Sequence, residues 1–462
     1  MQFERKATSL WGNFFKWNMP QIRAFHMTWF AFFLCFFAWF GIAPLMPVVR
    51  EELSLTKEQV GWTIIASVAI TIFARLVVGW LCDRMGPRIT YAGLLVLGAL
   101  PVMGIGLAHD FEAFLIFRLL IGAIGASFVI TQYHTSIMFA PNCVGTANAT
   151  AAGWGNLGGG VTQFVMPLLF SLLVGVLGLS EAVGWRLSML VAGVVCLLTG
   201  IAYCFLTQDA PDGTFRELRA AGKLPPGKLA ASAFWGACKD YRVWLLAVIY
   251  GACFGVELTI DNIAAIYFTD YFDLGLKAAG FAAAAFGMMN IFARMLGGIV
   301  GDHFGALWGL RGRTTWLFLV LFCEGVLLMV FSQTRSLAVA IPMLMGFGLF
   351  VKMSNGATYS VTPFINRNAM GAVAGIVGAG GNVGAVAAGF LFKGSLDWFV
   401  CLLVLGGVVT AVSFLAFGVR FSPAAEAEAR RDFDAALAAE EQRRLAASGD
   451  APQPEFEPAL TV

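Results

Sequence analysis

Two arginines occupy matched positions in two apolar stretches of the chain. The tetrapeptide Ile-Phe-Ala-Arg occurs twice, ending once at Arg75 and once at Arg294, and an aspartate follows eight residues later in each copy, Asp83 and Asp302. A charge inside a membrane-spanning helix costs about 2.5–3.5 kcal/mol on insertion scales. Each arginine lies about two helical turns before its aspartate, too deep to reach water easily. The matched charges predict one anion site where two halves of the chain meet. The alternative is a pair of ion-paired or snorkelling arginines.

A second pair of matched segments combines glycine with asparagine. Asn156 lies in the glycine-rich stretch 153–163 and Asn382 in 378–385, and a glycine precedes each asparagine by eleven residues. Because glycine costs about 1 kcal/mol relative to alanine inside a helix, such density indicates that another helix or a ligand approaches the backbone closely. Each asparagine amide can donate to an oxyanion. Close helix packing explains part of the pattern, and substrate contact by either asparagine stays open.

A third group follows the helical period i, i+4, i+7, i+11. Tyr250, Phe254, Glu257 and Asp261 are therefore expected on one face of one helix. Two acids four residues apart in a low-dielectric place should not both be ionised, so Glu257 and Asp261 are hypothetical proton carriers. The alternative is a structural ion pair with other charges in apolar stretches: Arg118, Glu324 and Lys352.

Composition predicts that these residues lie in a membrane. Of 462 residues, 59% are hydrophobic and 13% are charged, about half the charged fraction of soluble proteins. The sequence contains no nucleotide-binding loop, zinc-ligand spacing or hydrolase triad. We therefore expect no enzyme, no cofactor, no metal site and no nucleic-acid partner.

Twelve apolar stretches are long enough to span a bilayer: 24–48, 58–82, 89–108, 112–139, 145–176, 184–206, 243–269, 278–301, 314–332, 337–364, 370–392 and 397–419.

The distribution of lysine and arginine predicts the orientation. These residues concentrate before the first span, after the second, in 207–242 and after the eighth, so the positive-inside rule places both termini in the cytoplasm. We predict an all-α membrane protein of twelve transmembrane helices in two pseudo-symmetric six-helix halves, multi-pass in the cell's inner or plasma membrane. The five predicted segments are a cytoplasmic N-terminal segment 1–23, an N-terminal half 24–206, a cytoplasmic linker 207–242, a C-terminal half 243–420 and a cytoplasmic tail 421–462.

Several motifs resemble those of a transporter family. The stretch Gly79–Arg88 is similar to the signature loop between the second and third helices of the major facilitator superfamily, and Arg118 with Gly122 resembles its fourth-helix motif. The two glycine-asparagine segments resemble the paired nitrate signature of the nitrate/nitrite porter family within that superfamily. The resemblance covers about residues 24–420. The stretch Phe254–Asn262 resembles the proton-coupled branch, which includes fungal and plant high-affinity carriers, more than the exchanger branch.

This resemblance implies roles for the residues described above. By this resemblance Arg75 and Arg294 would clamp nitrate, and Asn156, Tyr250, Phe254 and Phe128 would line the site. The candidates from residue chemistry are Asn382 for substrate contact and Glu257 and Asp261 for proton coupling. An aromatic residue near Phe36 or Phe37 is expected to help. The resemblance to the signature loop also makes Asp83, Arg84 and Asp302 candidates for gating at the cytoplasmic ends of their helices. The family relation implies a monomer that binds nitrate, and possibly nitrite, in the lipid bilayer.

Three functions are compatible with these residues. The first is nitrate import by alternating access in symport with protons. An anion that enters a cell moves against the membrane potential, which costs about 2.3 kcal/mol per charge per 100 mV. Co-transport of more than one proton would offset this cost. The second is electroneutral nitrate/nitrite exchange, which should tolerate Glu257→Gln. The third is a nitrate receptor that signals through 207–242 or the tail.

Overall fold

The computed structural model describes residues 5–224, 229–274, 282, 285–367, 369–393 and 396–448. The main elements in these ranges are helices that match the twelve predicted stretches, and the span 278–301 is described only in part. Within the described residues, nine helical stretches are long and apolar enough to cross a membrane.

Twelve helices carry the labels used below. The first six are α1 (Pro20–Phe40), α2 (Lys57–Met85), α3 (Pro87–Gly104), α4 (Phe111–Met138), α5 (Val144–Ser171) and α6 (Glu181–Leu206). The next three are α7 (Tyr241–Phe272), α8 (293–307) and α9 (310–332). The last three are α10 (Leu337–Val361), α11 (Met370–Lys393) and α12 (Trp398–Ser413). A backbone break at Trp308 and Gly309, with φ of −128° and 64°, separates α8 from α9.

The two halves meet along matched glycine contacts. A Cβ built at Gly79 of α2 would lie 2.3 Å from the carbonyl oxygen of Gly371 on α11. At the equivalent place in the other half, a Cβ at Gly298 of α8 would lie 2.3 Å from the carbonyl oxygen of Gly145 on α5. Only glycine permits backbones this close. The sequence repeat therefore corresponds to two equivalent seams, α2 against α11 and α8 against α5.

Asp83 and Asp302 cap helices of the opposite half at these seams. The Asp83 carboxylate accepts from the backbone amides of Gly371 (3.1 Å) and Ala372 (3.0 Å) at the start of α11. The Asp302 carboxylate accepts from the amides of Gly145 (3.0 Å) and Thr146 (2.6 Å) at the start of α5. The first amides of a helix have no partner inside the helix and attract negative charge. Each aspartate thus joins the two halves at the end predicted to be cytoplasmic.

Two basic residues, Arg313 and Arg84, lie at this end of the molecule and make different contacts. Arg313 donates to Asp302 (2.6 Å) and to the backbone carbonyl of Pro141 (2.7 Å), so it links the start of α9 to the loop before α5. Arg84, the predicted gating arginine, is exposed and lies over the Trp80 ring, with its guanidinium carbon 5.0 Å from the ring centre. Its position is peripheral to the Asp83 cap.

The terminal segments pack on the same end of the molecule. Ala7 exchanges backbone hydrogen bonds with Met138 and Ala140, each at 2.9 Å. The tail contains the helix Pro423–Ser448, in which Glu428 and Asp432 bind Arg367 at 3.1 and 2.5 Å. Both segments are therefore attached to the helical bundle through specific contacts.

Candidate functional site

Arg75 has free donors in a buried place between the halves. Its side chain is fully buried, and Nη1 donates to the backbone carbonyl of Gly378 on α11. Its guanidinium carbon lies 5.5 Å from the ring centre of Phe128 and 5.4 Å from that of Phe254. Nε and Nη2 have no hydrogen-bond partner among the residues that the structure describes. A buried cation with two unused donors is suited to an anion that brings acceptor oxygens.

Arg294, which belongs to the C-terminal half, lies near the same Phe254 ring as Arg75 of the N-terminal half. Its guanidinium carbon lies 5.9 Å from the ring centre of Phe254, and Nη2 binds Glu257 at 2.6 Å. When the Asn156 amide is oriented with its oxygen toward Arg294, that oxygen accepts from Nη1 (2.8 Å) and Nη2 (3.1 Å). The two arginines therefore differ. Arg294 is held by side chains of both halves, whereas Arg75 keeps donors for another group.

Three stacked aromatic rings form a wall beside the arginines. Tyr250 and Phe254 stack with ring centres 5.1 Å apart, and Phe128 stacks on both, at 5.8 and 6.3 Å. Tyr359 of α10 meets the edges of Phe128 and Tyr250, at 4.8 and 5.1 Å. All four side chains are buried. The wall excludes water and presents ring faces to the guanidinium groups, which strengthens the electrostatic interactions inside.

The aromatic contact from α1 to Phe128 is made by Phe32, one helical turn before Phe36. Phe32 lies 5.7 Å from Phe128, whereas Phe36 contacts Phe32 at 4.6 Å and Phe37 lies beside Phe33 at 6.4 Å. A Cβ at Gly155 of α5 would lie 1.8 Å from the Phe32 ring. Glycine in the signature segment of α5 therefore makes room for the aromatic ring that supports Phe128.

Glu257 accepts from four donors on three structural elements. Its carboxylate binds Lys352 Nζ and Arg294 Nη2, both at 2.6 Å. The amides of Asn290 and Asn355 donate to it at 3.0 and 2.5 Å. Four donors satisfy an ionised carboxylate in a buried place, which matches the structural ion-pair alternative. The single negative charge of Glu257 balances only one of the three positive charges of Arg75, Arg294 and Lys352. These four residues therefore leave a net positive charge at the site.

Asp261 lies one turn beyond Glu257, in a different environment. It is exposed, whereas Glu257 is 2% exposed. No ion pair of Asp261 occurs within the described part of the chain. Asp261 interacts electrostatically with Lys352, Glu257 and Arg294 without a direct ion pair, whereas Glu257 contacts both cations directly.

Asn382 differs from its repeat partner Asn156. Its side chain is fully buried, and neither its amide oxygen nor its amide nitrogen has a partner among the described residues. The preceding Gly381 is at the aromatic wall, where a Cβ would lie 2.7 Å from Phe254 and 2.8 Å from Tyr250. Asn156 thus contacts an arginine, and Asn382 carries unused amide groups on the helix that holds Arg75.

Helix α10 contributes residues whose part in the site was missed from the sequence. Lys352, Asn355 and Tyr359 follow the spacing i, i+3, i+7, so they share one helical face. Lys352 was recognised only as one of several buried charges, and Asn355 and Tyr359 were not singled out. A sequence signal for them exists, because Lys352, Ser354, Asn355, Thr358, Tyr359 and Ser360 place six polar residues within nine positions of an otherwise apolar span.

Comparisons with known proteins agree with these observations. The Major Facilitator Superfamily profile matches residues 28–364. High affinity nitrate transporter 2.5 of Arabidopsis thaliana is 41% identical over 424 residues, which cover 91% of this chain and 83% of that protein. Nitrate transporter 2.1 of Chlamydomonas reinhardtii is 38% identical, covering 85% and 72%. The nitrate/nitrite transporter NrtP of Nostoc punctiforme is 30% identical, covering 79% and 85%.

Solved structures of low sequence identity share the fold. The proton:xylose symporter XylE superposes with a TM-score of 0.66 at 13% identity, covering 87% of this chain and 96% of that one. FucP in the outward conformation gives a TM-score of 0.63 at 15% identity, covering 87% and 100%. These likenesses confirm the predicted fold class of a multi-pass, all-α membrane protein with two six-helix halves. Together with the sequence relatives, they show that the chain belongs to the nitrate/nitrite porter family of the Major Facilitator Superfamily.

Proposed function

We propose that this protein imports nitrate across the cell's inner or plasma membrane by alternating access, in symport with protons. The observation that carries the proposal is Arg75, a fully buried cation whose Nε and Nη2 have no partner among the described residues. The relatives reported above carry the names of nitrate or nitrate/nitrite transporters. Nitrite is a second possible substrate, because it shares the charge and the acceptor oxygens of nitrate.

The geometry of the site suits a small planar oxyanion. Nitrate presents acceptor oxygens in a plane, and a guanidinium group presents paired donors in a plane, so the two can form two parallel hydrogen bonds. In this proposal Arg75 binds nitrate directly, Arg294 adds charge from the opposite half, and Phe128, Tyr250 and Phe254 define the slot. The amides of Asn156 and Asn382 orient the anion or its arginines.

Alternating access follows from the two seams. The halves 24–206 and 243–420 would rock about the arginine site, joined by the linker 207–242, with the segments 1–23 and 421–462 on the cytoplasmic side. Asp83 and Asp302 hold the cytoplasmic end closed through the helix caps of α11 and α5. Opening toward the cytoplasm requires these caps and the glycine contacts to separate. Arg84 would act at the rim of this gate.

Two coupling modes fit the same site. Proton symport offsets the cost of moving an anion against the membrane potential. Nitrate/nitrite exchange is also compatible with the site, because the four donors around Glu257 make it a fixed counter-ion. A fixed counter-ion serves an exchanger as well as a symporter. We favour symport, and the coupling mode is decided by the experiment below.

Uptake into sealed vesicles separates these modes. Purified protein is reconstituted, and uptake of isotopically labelled nitrate is measured with and without an inward proton gradient, with protein-free vesicles as the blank. Symport predicts uptake that rises with the gradient when no anion is trapped inside. Uptake that ignores the gradient and needs internal nitrate or nitrite identifies an exchanger. Binding of nitrate without movement across the vesicle wall in either arrangement would support a receptor.

The variant Gly79→Ala is expected to impair transport by about tenfold or more. The added methyl group would lie 2.3 Å from the Gly371 carbonyl oxygen, so the α2–α11 seam must open to accommodate it. The matched control is Gly93→Ala, since a Cβ at Gly93 has nothing within 4 Å. Initial uptake rates are compared at equal amounts of inserted protein. Equal rates for the two variants would show that close contact at this seam is unnecessary.

A further inference from the structure

Glu324 of α9 is a buried acid that the site described above does not use. Its side chain is 0% exposed, no cation lies at ion-pair distance among the described residues, and the polar group beside its carboxyl is the hydroxyl of Ser354. Glu257, by contrast, has four donors. Glu257 and Glu324 thus have opposite environments.

The groups that face Glu324 come from three neighbouring helices. Helix α10 presents Lys352 and the hydroxyl of Ser354, and α7 presents Glu257 and Cys253. Helix α12 packs against α9 beside Gly325 through Thr410, and its sequence contains no acidic or basic residue. Lys352 is therefore the cation that interacts with both acids. In this structure its ammonium group binds Glu257 at 2.6 Å and lies 4.1 Å from the ring centre of Phe286.

Elementary electrostatics assigns different protonation states to the two acids. An ionised carboxylate in a water-free interior needs several donors or a direct cation to balance its desolvation, and Glu257 has both. Among the described residues Glu324 has no direct cation and only the Ser354 hydroxyl beside it, and ionising it would place a second negative charge near Glu257. A neutral, proton-bearing Glu324 beside an ionised Glu257 is the arrangement that this geometry accommodates.

We propose that Glu324 carries one of the protons that are co-transported with nitrate. In the conformation described, its carboxyl group holds the proton. After the site opens to the cytoplasm, Lys352 moves from Glu257 to Glu324, the O–H bond of Glu324 breaks, and the proton passes to cytoplasmic water. The carboxylate left behind is then the counter-ion of Lys352, so charge stays balanced inside the protein. A proton from the outer side restores the starting state. This inference rests on the proposed symport.

The test uses Glu324→Gln, which keeps the shape and removes the proton site. If two protons accompany each nitrate, loss of one makes transport electroneutral. Accumulation of nitrate at equilibrium should then fall about tenfold per unit of pH gradient, because each coupled proton contributes one decade per pH unit. Accumulation should also stop responding to a potassium-diffusion potential. The matched control is the exposed acid variant Glu112→Gln, which should accumulate nitrate like the wild type.

Counterflow of labelled nitrate against unlabelled nitrate, without any gradient, separates failure of the inference from failure of the proposed function. Glu324→Gln should retain counterflow, since nitrate binding and reorientation do not require net proton movement. Absence of counterflow in the wild type would refute nitrate transport itself. Wild-type transport together with unchanged proton coupling and unchanged potential response in Glu324→Gln would overturn the role of Glu324.

Infrared difference spectroscopy supplies an independent readout if Glu324→Gln fails to insert. Wild-type protein should show a carbonyl band of a protonated carboxyl group that changes on addition of nitrate. Glu324→Asp keeps the acid and shortens its arm, so it should shift this band and retain part of the coupling. A spectrum that lacks such a band in the wild type, or a band unaffected in Glu324→Asp, would contradict the proposal.

Discussion

Replacing Arg75 by lysine is expected to reduce the rate of nitrate uptake by about 100-fold, because two charge-assisted hydrogen bonds of about 1.5 kcal/mol each correspond to about two decades. Lysine keeps the positive charge but presents a compact ammonium group instead of a planar fork. In the structure one arm of Arg75 binds the Gly378 carbonyl while Nε and Nη2 are unused. A lysine cannot hold that carbonyl and offer a pair of parallel donors to the anion.

The measurement is the initial rate of labelled nitrate uptake in vesicles that contain equal amounts of protein. Arg216→Lys provides the control, because it makes the same chemical change at an exposed position in the linker. Uptake by Arg75→Lys within about threefold of the wild type, a difference of less than about 0.7 kcal/mol, would show that the paired donors of Arg75 are not needed.

The variant Glu257→Gln is expected to abolish both proton-driven uptake and exchange, and to lower thermal stability. Removing one member of a buried ion pair costs about 3–5 kcal/mol, since the remaining charges lose their counter-ion. Here Arg294 and Lys352 both depend on the same carboxylate, at 2.6 Å each. The sequence alone suggested that an exchanger would tolerate this change. The contacts predict otherwise, so Glu257→Gln is a poor discriminator between the two coupling modes.

A double variant tests the physical reason. Glu257→Gln combined with Lys352→Met removes one negative and one positive charge, so the melting temperature should recover toward that of the wild type while uptake stays low. A non-additive effect of this kind is the signature of a direct interaction. A single Glu257→Gln variant that melts with the wild type and still transports would show that the carboxylate does not hold the two cations in place.

The repeat in the sequence predicted the position of the arginines but not their different environments. Arg75 and Arg294 stand out because identical tetrapeptides occur in two apolar spans. Their partners come from distant parts of the chain: Gly378 binds Arg75, and Glu257 binds Arg294. Partner choice depends on the rotation of each helix about its axis, which apolar spans buried on several sides do not encode in their periodicity.

For the same reason, the sequence did not determine which of the buried charged residues contact one another. From the sequence, Arg118, Glu324 and Lys352 could satisfy one another or the acids of α7, and the structure places Lys352 against Glu257, at 2.6 Å. Arg118 instead donates to the backbone carbonyl of Trp39 at 3.2 Å. The shared face of Glu257 and Asp261 follows from helical geometry, yet their burial differs because the neighbours of α7 cover Glu257 and leave Asp261 exposed. Burial depends on the neighbouring helices, which the sequence of α7 does not reveal.

The most direct test of the central claim is a structure of the protein with nitrate bound. We expect planar density between the guanidinium groups of Arg75 and Arg294, beside the Phe254 ring, with oxygens within hydrogen-bond distance of Arg75 Nε and Nη2. Nitrate bound elsewhere, or Arg75 left without contact to the anion in a nitrate-saturated structure, would contradict the account.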